Sequence, residues 1–220
     1  MNHFFSPSTF ALLEELAENN TREWYHEHKT TFEKEVRTPF LGLIEAITDE
    51  LGDSSLPLIG NKKTMFRQNR DVRFSKDKSP YQTHVSGLLT PSGSKNEDDG
   101  ILYCQINKSG GMMACGYYKL PTARLKLIRE KIIDEAGPFK EIMDDLEGKN
   151  LSLIEDGKLS SMPRGFSEYS DHELAEYLKM KSFATHHSFT KQQLLEEDLV
   201  AHASQLAIQT QPLVDFCKME

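Results

Sequence analysis

The sequence predicts an α+β fold, a single domain over residues 1–220 in which helices from the N- and C-terminal segments pack on an antiparallel sheet. Three observations lead to this prediction. Apolar residues recur at helical spacing near both ends of the chain, two segments alternate around glycine-bearing turns, and helical and extended segments do not alternate as in βαβ units. A chain of 220 residues is long enough to bury a core without disulfides.

Three helices are predicted in the segment that ends at Gly52. Ser6 followed by Pro7 is typical of a helix start, and Pro39 restarts a helix with Thr38 as its cap. The inward faces carry apolar or aromatic residues three or four positions apart: Phe10, Leu13 and Ala17; Trp24, His28, Phe32 and Val36; and Phe40, Leu43, Ile44 and Ile47.

Extended structure is predicted beyond Leu56. Residues 64–67 and 86–90 have the composition of short strands, and a segment dominated by charge separates them. Residues 91–100 are small and polar, which predicts an exposed flexible loop.

A hairpin is predicted over the next segment. Its strands, 101–107 and 112–118, alternate around the polar turn 108–111, which contains two glycines. Each strand contains one of the three cysteines of the chain, an odd number without the close spacing of a zinc site. We therefore expect reduced thiols that fill the core.

The C-terminal half begins with two more helices. Leu125, Ile128 and Ile132 form the apolar stripe of the first, and the second ends at Gly148. Residues 151–162 then predict a second hairpin around a polar, glycine-bearing turn.

Capping boxes predict the starts of two late helices. Ser170 is followed by Glu173, and Thr190 by Gln193, at the spacing that lets each side chain bond the other residue's backbone. Residues 181–185, between these helices, predict a strand.

Composition excludes several classes of protein. Apolar residues make up 38% of the chain and charged residues 27%, which excludes disorder and fibrous repeats. No run approaches the roughly 18 apolar residues of a membrane span, and the first residues lack the regions of a secretory signal. We expect a soluble, cytoplasmic protein with no membrane partner, and helices at both termini permit a dimer without requiring one.

The segment from Lys62 to His84 differs in charge from the rest of the chain. It contains seven basic and two acidic residues, so its formal charge is +5 and that of the remaining residues is −13, for a net charge of −8. Such a cationic segment favours selective capture of a single anionic group, because the surrounding field repels long nucleic acid.

Two interpretations of this segment stay open. Guanidinium groups match the planar geometry of carboxylate and phosphate, so arginines three residues apart could converge on one anion. The predicted ligand-binding residues are Arg67, Arg70, Arg73, Lys76 and Lys78. The alternative is a structural network in which Asp71 and Asp77 pair with the arginines and fix a long loop.

The same segment contains a motif. The run RQNRDVRFSKDKSPY, residues 67–81, resembles the signature of an uncharacterised, mostly bacterial family catalogued as domain of unknown function 2461. That signature has the form Arg-x-x-Arg-Asp-x-Arg-Phe, then Asp or Asn followed by Lys, then Tyr. Similarity extends over nearly the whole chain, through these segments: 19–25, 28–29, 116–118, 163–166 and 178–183.

The resemblance implies a single domain of about this length. It implies no particular activity, because the family has no established activity, substrate or catalytic residue. Arg164 and Lys181 lie in the shared segments and are candidates to join the basic site from the C-terminal half. The polar loop Ser92–Asp99 looks longer than the one that members of the family usually carry.

Candidates for catalysis follow the basic run closely. His84 or Tyr81 could transfer a proton to a substrate held by the arginines, and Asp71 is a third candidate, although purely structural roles are favoured. No metal site is predicted, because the histidines lack ligand spacing, and no cofactor is predicted, because phosphate loops and dinucleotide fingerprints are absent from the sequence.

Three functions are consistent with these observations. The first is binding of a phosphorylated or carboxylated small molecule, with or without catalysis. The second is nucleic-acid binding with Trp24 or Tyr81 as a stacking platform, which the net acidity disfavours. In the third, the basic run only stabilises the fold and the protein acts through other proteins.

Overall fold

A computed structural model describes residues 3–95 and 100–219 of the chain. Its helices and strands, in chain order, are α1 Pro7–Glu18, α2 Arg22–Phe32, a π-helical segment Glu33–Arg37, α3 Thr38–Leu51, β1 His84–Leu89, β2 Ile101–Asn107, β3 Gly110–Tyr117, α4 Thr122–Asp134, α5 Ala136–Gly148, a 3₁₀ turn Ser167–Tyr169, α6 Ala175–Leu178, β4 Phe183–Thr190, α7 Lys191–Glu196 and α8 Leu199–Cys217.

The strands form one antiparallel sheet in the order β1-β2-β3-β4. β1 pairs with β2 in a register that sets His84 opposite Asn107 and Leu89 opposite Leu102. Helices from both terminal segments accompany this sheet, so the predicted α+β class is confirmed. None of the helices that the structure describes combines the length and apolar character needed to cross a bilayer.

The chain divides into two compact units, which are described separately. The first contains Met1–Met113 and His187–Gln205, and the second contains Ala114–His186 and Leu206–Glu220. One domain over residues 1–220 stays a prediction.

In the first unit, α3 packs on β1 at a glycine. A Cβ atom on Gly87 would lie 3.2 Å from the ring of Phe40 and 3.5 Å from the side chain of Ile44. The missing side chain therefore lets the helix approach the strand closely.

The helices α2 and α3 are joined without a break. The prediction of a restart at Pro39 with Thr38 as cap is wrong, because the chain stays helical through Glu33–Arg37, where it widens to a π-helix. Pro39 lies in the first turn of α3 and has no N–H to donate to the preceding helical turn, and the Glu35 carbonyl there accepts from the Thr9 hydroxyl at 2.8 Å instead. Arg37, the last residue of the π-helical segment, donates hydrogen bonds to residues 66 and 68 of the basic segment, as described below.

The second unit has an aromatic core around Phe139, whose ring centroid lies 5.2 Å from those of Tyr177 and Phe216. Gly116 of β3 has φ +125°, and a Cβ atom there would lie 2.3 Å from the carbonyl oxygen of Phe183. Glycine is required at this position because neither that backbone conformation nor that approach admits a side chain. Burial raises the pKa of the Cys115 thiol to about 12.

Two predictions in the C-terminal half are wrong. Residues 151–162 do contain a turn, but their flanks do not pair with each other. Leu153 pairs with Thr185 of β4, and the Leu159 amide donates to Lys179. Ser170 ends the 3₁₀ turn instead of starting a helix, and α6 begins at Ala175.

Other predictions agree with the structure more closely. Thr190 and Gln193 form the predicted capping box at the start of α7. β4 is longer than predicted, and β3 begins at Gly110 because the hairpin turn consists of residues 108–109 only. Of the predicted loop 91–100, residues 96–99 lie outside the described residues.

Candidate functional site

The basic segment forms an arm of two extended chains, residues 64–70 and 80–88, joined by a tip, residues 71–79. We call these residues together the basic arm. Its two chains run antiparallel, with isolated bridges between Met65 and Gly87 and between Asn69 and Tyr81. Four backbone hydrogen bonds connect them, from the amides of Phe66, Arg70, Gln82 and Leu88 to the carbonyls of Ser86, Pro80, Gln68 and Thr64 at 2.7–3.2 Å. The predicted strand 64–67 is thus present only as isolated bridges.

Asn20, in the turn between α1 and α2, binds the arm at Tyr81. Its Nδ2 donates to the Tyr81 carbonyl at 2.9 Å, and its Oδ1 accepts from the Tyr81 amide at 3.1 Å. The ring of Tyr81 stacks on that of Tyr25 in α2, with centroids 4.0 Å apart, and Tyr81 is 4% exposed. The arm is therefore attached to α2 by both its backbone and an aromatic side chain.

A second attachment comes from the π-helical segment. Gln68 is 5% exposed, and its Nε2 donates to the carbonyls of Gln82 and His84. Arg37 Nη1 donates to Gln68 Oε1 at 3.4 Å and to the Phe66 carbonyl at 3.3 Å. A buried amide and one guanidinium thus satisfy carbonyl groups on both chains of the arm.

At the tip, Arg70 pairs with Asp77. Arg70 Nη1 lies 2.5 Å from Asp77 Oδ2 and also donates to the Ser79 carbonyl at 3.1 Å. Asp77 Oδ1 accepts from the Ser79 hydroxyl at 2.6 Å and from its amide at 2.9 Å. These donors, the Ser79 hydroxyl first, lower the pKa of the Asp77 carboxyl to about 2.

Arg73 pairs with Asp71 two residues earlier. Arg73 Nη2 donates to Asp71 Oδ2 at 2.7 Å and its Nε to Oδ1 at 3.0 Å, a bidentate arrangement. Hydrogen bonding by Arg73 lowers the pKa of Asp71, and the charge of Arg67 lowers it further. Lys78 Nζ donates to the Val72 carbonyl at 3.0 Å, so the tip is fixed by its own side chains.

The predicted binding residues therefore fall into two groups. Arg70 and Arg73 are each paired with an acidic residue of the tip, as the structural interpretation expected. Arg67 and Lys76 are exposed, and the part of the chain that the structure describes offers their side chains no hydrogen bond or ion pair. The same holds for Lys62 and Lys63 at the start of the segment.

Two exposed aromatic side chains of the arm lie next to other cations, Arg73 and Lys95. Phe74, at the tip, is 96% exposed, and the guanidinium carbon of Arg73 lies 5.9 Å from its ring centroid. Phe66 is 40% exposed, with Lys95 Nζ 5.6 Å from its ring centroid. Sequence reasoning missed both rings, although each is an aromatic residue in a segment dominated by charge.

The rings proposed from the sequence for stacking are less accessible. Tyr81 is buried against Tyr25 and cannot stack on a ligand. Trp24 is half-buried, and the ring of His28 covers one of its faces at 4.2 Å. His28 Nδ1 bonds the Trp24 carbonyl at 2.9 Å, so this half-buried histidine has a partner within its own helix.

The catalytic candidates occupy different parts of the arm. Asp71 lies in the tip and is engaged by Arg73, while Tyr81 and His84 lie in the paired chains. Burial lowers the pKa of His84, which favours the neutral imidazole at pH 7. A neutral imidazole can accept a proton, which is compatible with the predicted proton-transfer role. All three stay predictions.

Arg164 and Lys181 belong to the second unit. Arg164 is exposed and Lys181 is partly exposed. Their contribution to the basic site stays a prediction. Among the described residues, no three or more His, Cys, Asp or Glu side chains come together as metal ligands would.

Comparison with known proteins adds one finding. A family model described as "Conserved hypothetical protein (DUF2461)" matches residues 8–216. Neither the curated proteins nor the solved structures that were compared with the chain gave a match. Because the family model covers almost the entire sequence, the chain belongs to this family.

Proposed function

We propose that this member of the DUF2461 family is a cytoplasmic protein that binds a phosphorylated or carboxylated small molecule at the basic arm. The observation that supports the proposal is the distribution of charge. Both acidic residues of the segment are bound to its own arginines, so its +5 charge is carried by the other cations, in a chain whose remaining residues sum to −13. These cations are Lys62, Lys63, Arg67, Lys76 and Lys78.

The two groups of basic residues have different roles in this proposal. Arg67 and Lys76 are exposed and meet the anion directly, since neither side chain makes a hydrogen bond or ion pair among the described residues. Arg73 contributes as well, because its bonds to Asp71 use Nε and Nη2 and leave the two hydrogens of Nη1 available. Arg70 fixes the tip through Asp77 and Ser79.

A small ligand suits this surface better than a polymer. A single anionic group contacts only the local donors, whereas a long polyanion also meets the acidic remainder of the chain. Each exposed charge contact contributes only about 0.2–1 kcal/mol, so we expect several donors to act together and affinity to fall with ionic strength.

Calorimetric titration with phosphate, sulfate and citrate at low ionic strength tests the proposal. Arg67→Ala and Lys76→Ala should each weaken binding by about twofold to fivefold, the loss of one exposed charge contact. Lys29→Ala is a matched control, because it removes an exposed cation of α2 outside the arm. Equal affinities in the wild type and both arm variants would refute the proposal.

Thermal unfolding gives an independent test. A ligand that binds only the folded chain raises its stability by RT ln(1 + [L]/Kd), about 2.7 kcal/mol at a hundredfold excess over Kd. If phosphate, sulfate and citrate all leave the unfolding temperature unchanged, the arm acts only as a structural element.

A further inference from the structure

We infer that the anion bound by the arm carries a planar ring, as the base of a nucleotide does, and that this ring stacks on Phe74. The inference rests on the proposed function and adds a substrate class to it. Two sources share this chemistry, a free nucleotide and the exposed bases of a single strand.

The first observation is that Phe74 is held in solvent. It is 96% exposed although the backbone on both sides of it is fixed. The Arg73 amide donates to Asp71 Oδ1 at 3.2 Å, and the Ser75 amide donates to the Val72 carbonyl at 3.3 Å. An ordered loop that leaves a phenyl ring in water forgoes hydrophobic stabilisation, which a bound apolar surface would restore.

The second observation is the position of Arg73 beside this ring. Its guanidinium carbon lies 5.9 Å from the centroid of Phe74, and the bidentate bond to Asp71 fixes its orientation. Among the described residues Nη1 makes no hydrogen bond, so a cationic donor lies over one face of the phenyl ring, and the exposed opposite face is left for a ligand. A phosphate donor next to a stacking face matches the two parts of a nucleotide.

The third observation is that the pairing of a ring with a cation occurs twice. Lys95 Nζ donates to the Met65 carbonyl at 3.0 Å and lies 5.6 Å from the centroid of Phe66, itself 40% exposed. Alternation of cations and exposed rings is typical of surfaces that bind bases by stacking, because every base has an aromatic face. A ligand that offers only charge would use neither ring.

The test compares three probes, namely inorganic phosphate, adenosine monophosphate and a short thymidylate oligonucleotide, on the wild type and on Phe74→Ala and Phe74→Leu. We expect at least one nucleotide probe to bind more tightly than phosphate. Phe74→Ala should weaken that probe by about tenfold, the lower part of the range for base stacking, and leave phosphate binding unchanged. Phe74→Leu, which keeps apolar surface without an aromatic face, should recover only part of the loss.

The outcomes separate this inference from the proposed function. If phosphate binds and neither nucleotide probe binds more tightly, the stacking ring is refuted while anion binding stands. If nucleotide probes bind equally well to the wild type and Phe74→Ala, the role of Phe74 is refuted. If no probe binds, both proposals fail.

Tighter binding of the monophosphate supports a free nucleotide as the ligand. Tighter binding of the oligonucleotide alone supports a single strand and overturns the small-molecule ligand of the proposed function, while the stacking role of Phe74 stands. Unfolding temperatures of both variants should match the wild type, because the side chain is exposed.

Discussion

Asn20→Ala should loosen the basic arm without touching its charges. The Asn20 side chain makes two hydrogen bonds to the backbone of Tyr81, at 2.9 and 3.1 Å, across 61 positions of the sequence. Alanine removes the donor and the acceptor together and leaves the amide and the carbonyl of a residue that is 4% exposed without these partners.

The magnitude follows from the two lost bonds. A neutral intramolecular hydrogen bond contributes about 0.5–1.5 kcal/mol net, so the loss of both should lower the free energy of unfolding by about 2 kcal/mol. For a chain of 220 residues, each kcal/mol corresponds to about 2–4 °C, which predicts a decrease of about 4–8 °C in the unfolding temperature.

Thermal unfolding followed by circular dichroism measures this decrease. Thr83→Ala is the matched control, a truncation in the same arm at an exposed residue. Hydrogen exchange at the Tyr81 amide should become faster in Asn20→Ala and stay unchanged in the control. The reasoning is refuted if both variants unfold within about one degree of each other, since the two bonds would then carry no net stability.

Asn20→Asp removes the Nδ2 donor of the side chain and keeps an oxygen acceptor, so it tests the two hydrogen bonds separately. The new carboxylate still accepts from the Tyr81 amide, but it places a negative charge against the Tyr81 carbonyl. We expect destabilisation at neutral pH that diminishes below about pH 4, where the protonated carboxyl can donate again. A stability loss independent of pH would contradict the assigned role of the Nδ2 donor.

Three further predictions concern single groups. Asp77 should titrate at about 2 instead of the ordinary 3.8 in carboxyl NMR spectra. Its stabilising effect should be complete above about pH 4 and lost as the pH falls through the folded value, and Ser79→Ala should raise the pKa because the hydroxyl is its largest cause. His84 should titrate below 6.5, so that its protonation destabilises the fold only on the acid side of that value, which proton NMR of the imidazole checks. Gly116→Ala should cost about 3 kcal/mol in denaturant unfolding, because its φ is strained for alanine and the new Cβ meets a carbonyl of β4. Gly148→Ala is the control, since a Cβ there meets nothing within 4 Å.

Local signals in the sequence were sufficient for several of the helices and for some of their ends. The apolar stripe of α3 is buried as predicted, and the capping box of Thr190 with Gln193 forms because both partners lie within one turn. The box predicted at Ser170 has the same spacing but no helix to cap, since helical structure begins only at Ala175. A capping motif indicates where a helix can start, and packing decides whether one forms.

Pairing between distant segments could not be predicted in the same way. The turn in residues 151–162 was recognised from its polar, glycine-bearing sequence, yet Leu153 pairs with Thr185. A turn signal fixes only its own few residues, whereas strand partners depend on which edge of the sheet is available. The contact of Asn20 with Tyr81 was missed for the same reason.

The sequence indicates where the candidate site lies along the chain, but only partly how its side chains are arranged. Charge alone identifies the segment, and the sequence is consistent with both the binding and the structural interpretation of its arginines. The bonds of Arg73 to Asp71 and of Arg70 to Asp77 depend on how the tip folds back on itself, over two and seven positions, which no periodic pattern specifies. The exposure of Phe74 depends on the same backbone path.

These ion pairs do not argue against anion binding, because each pair is neutral and the +5 charge of the segment is carried by other cations. The ion pairs give the basic residues different roles, in stability or in binding, and measurements on single variants distinguish these roles. Arg70→Ala should lower the unfolding temperature more than Arg67→Ala, since it leaves the Asp77 carboxylate and the Ser79 carbonyl without a shared donor. Arg67→Ala should weaken phosphate binding while leaving the unfolding temperature of the unliganded chain unchanged. If both variants lower stability equally and neither changes phosphate affinity, the whole segment is structural and the charge excess of the arm has no ligand.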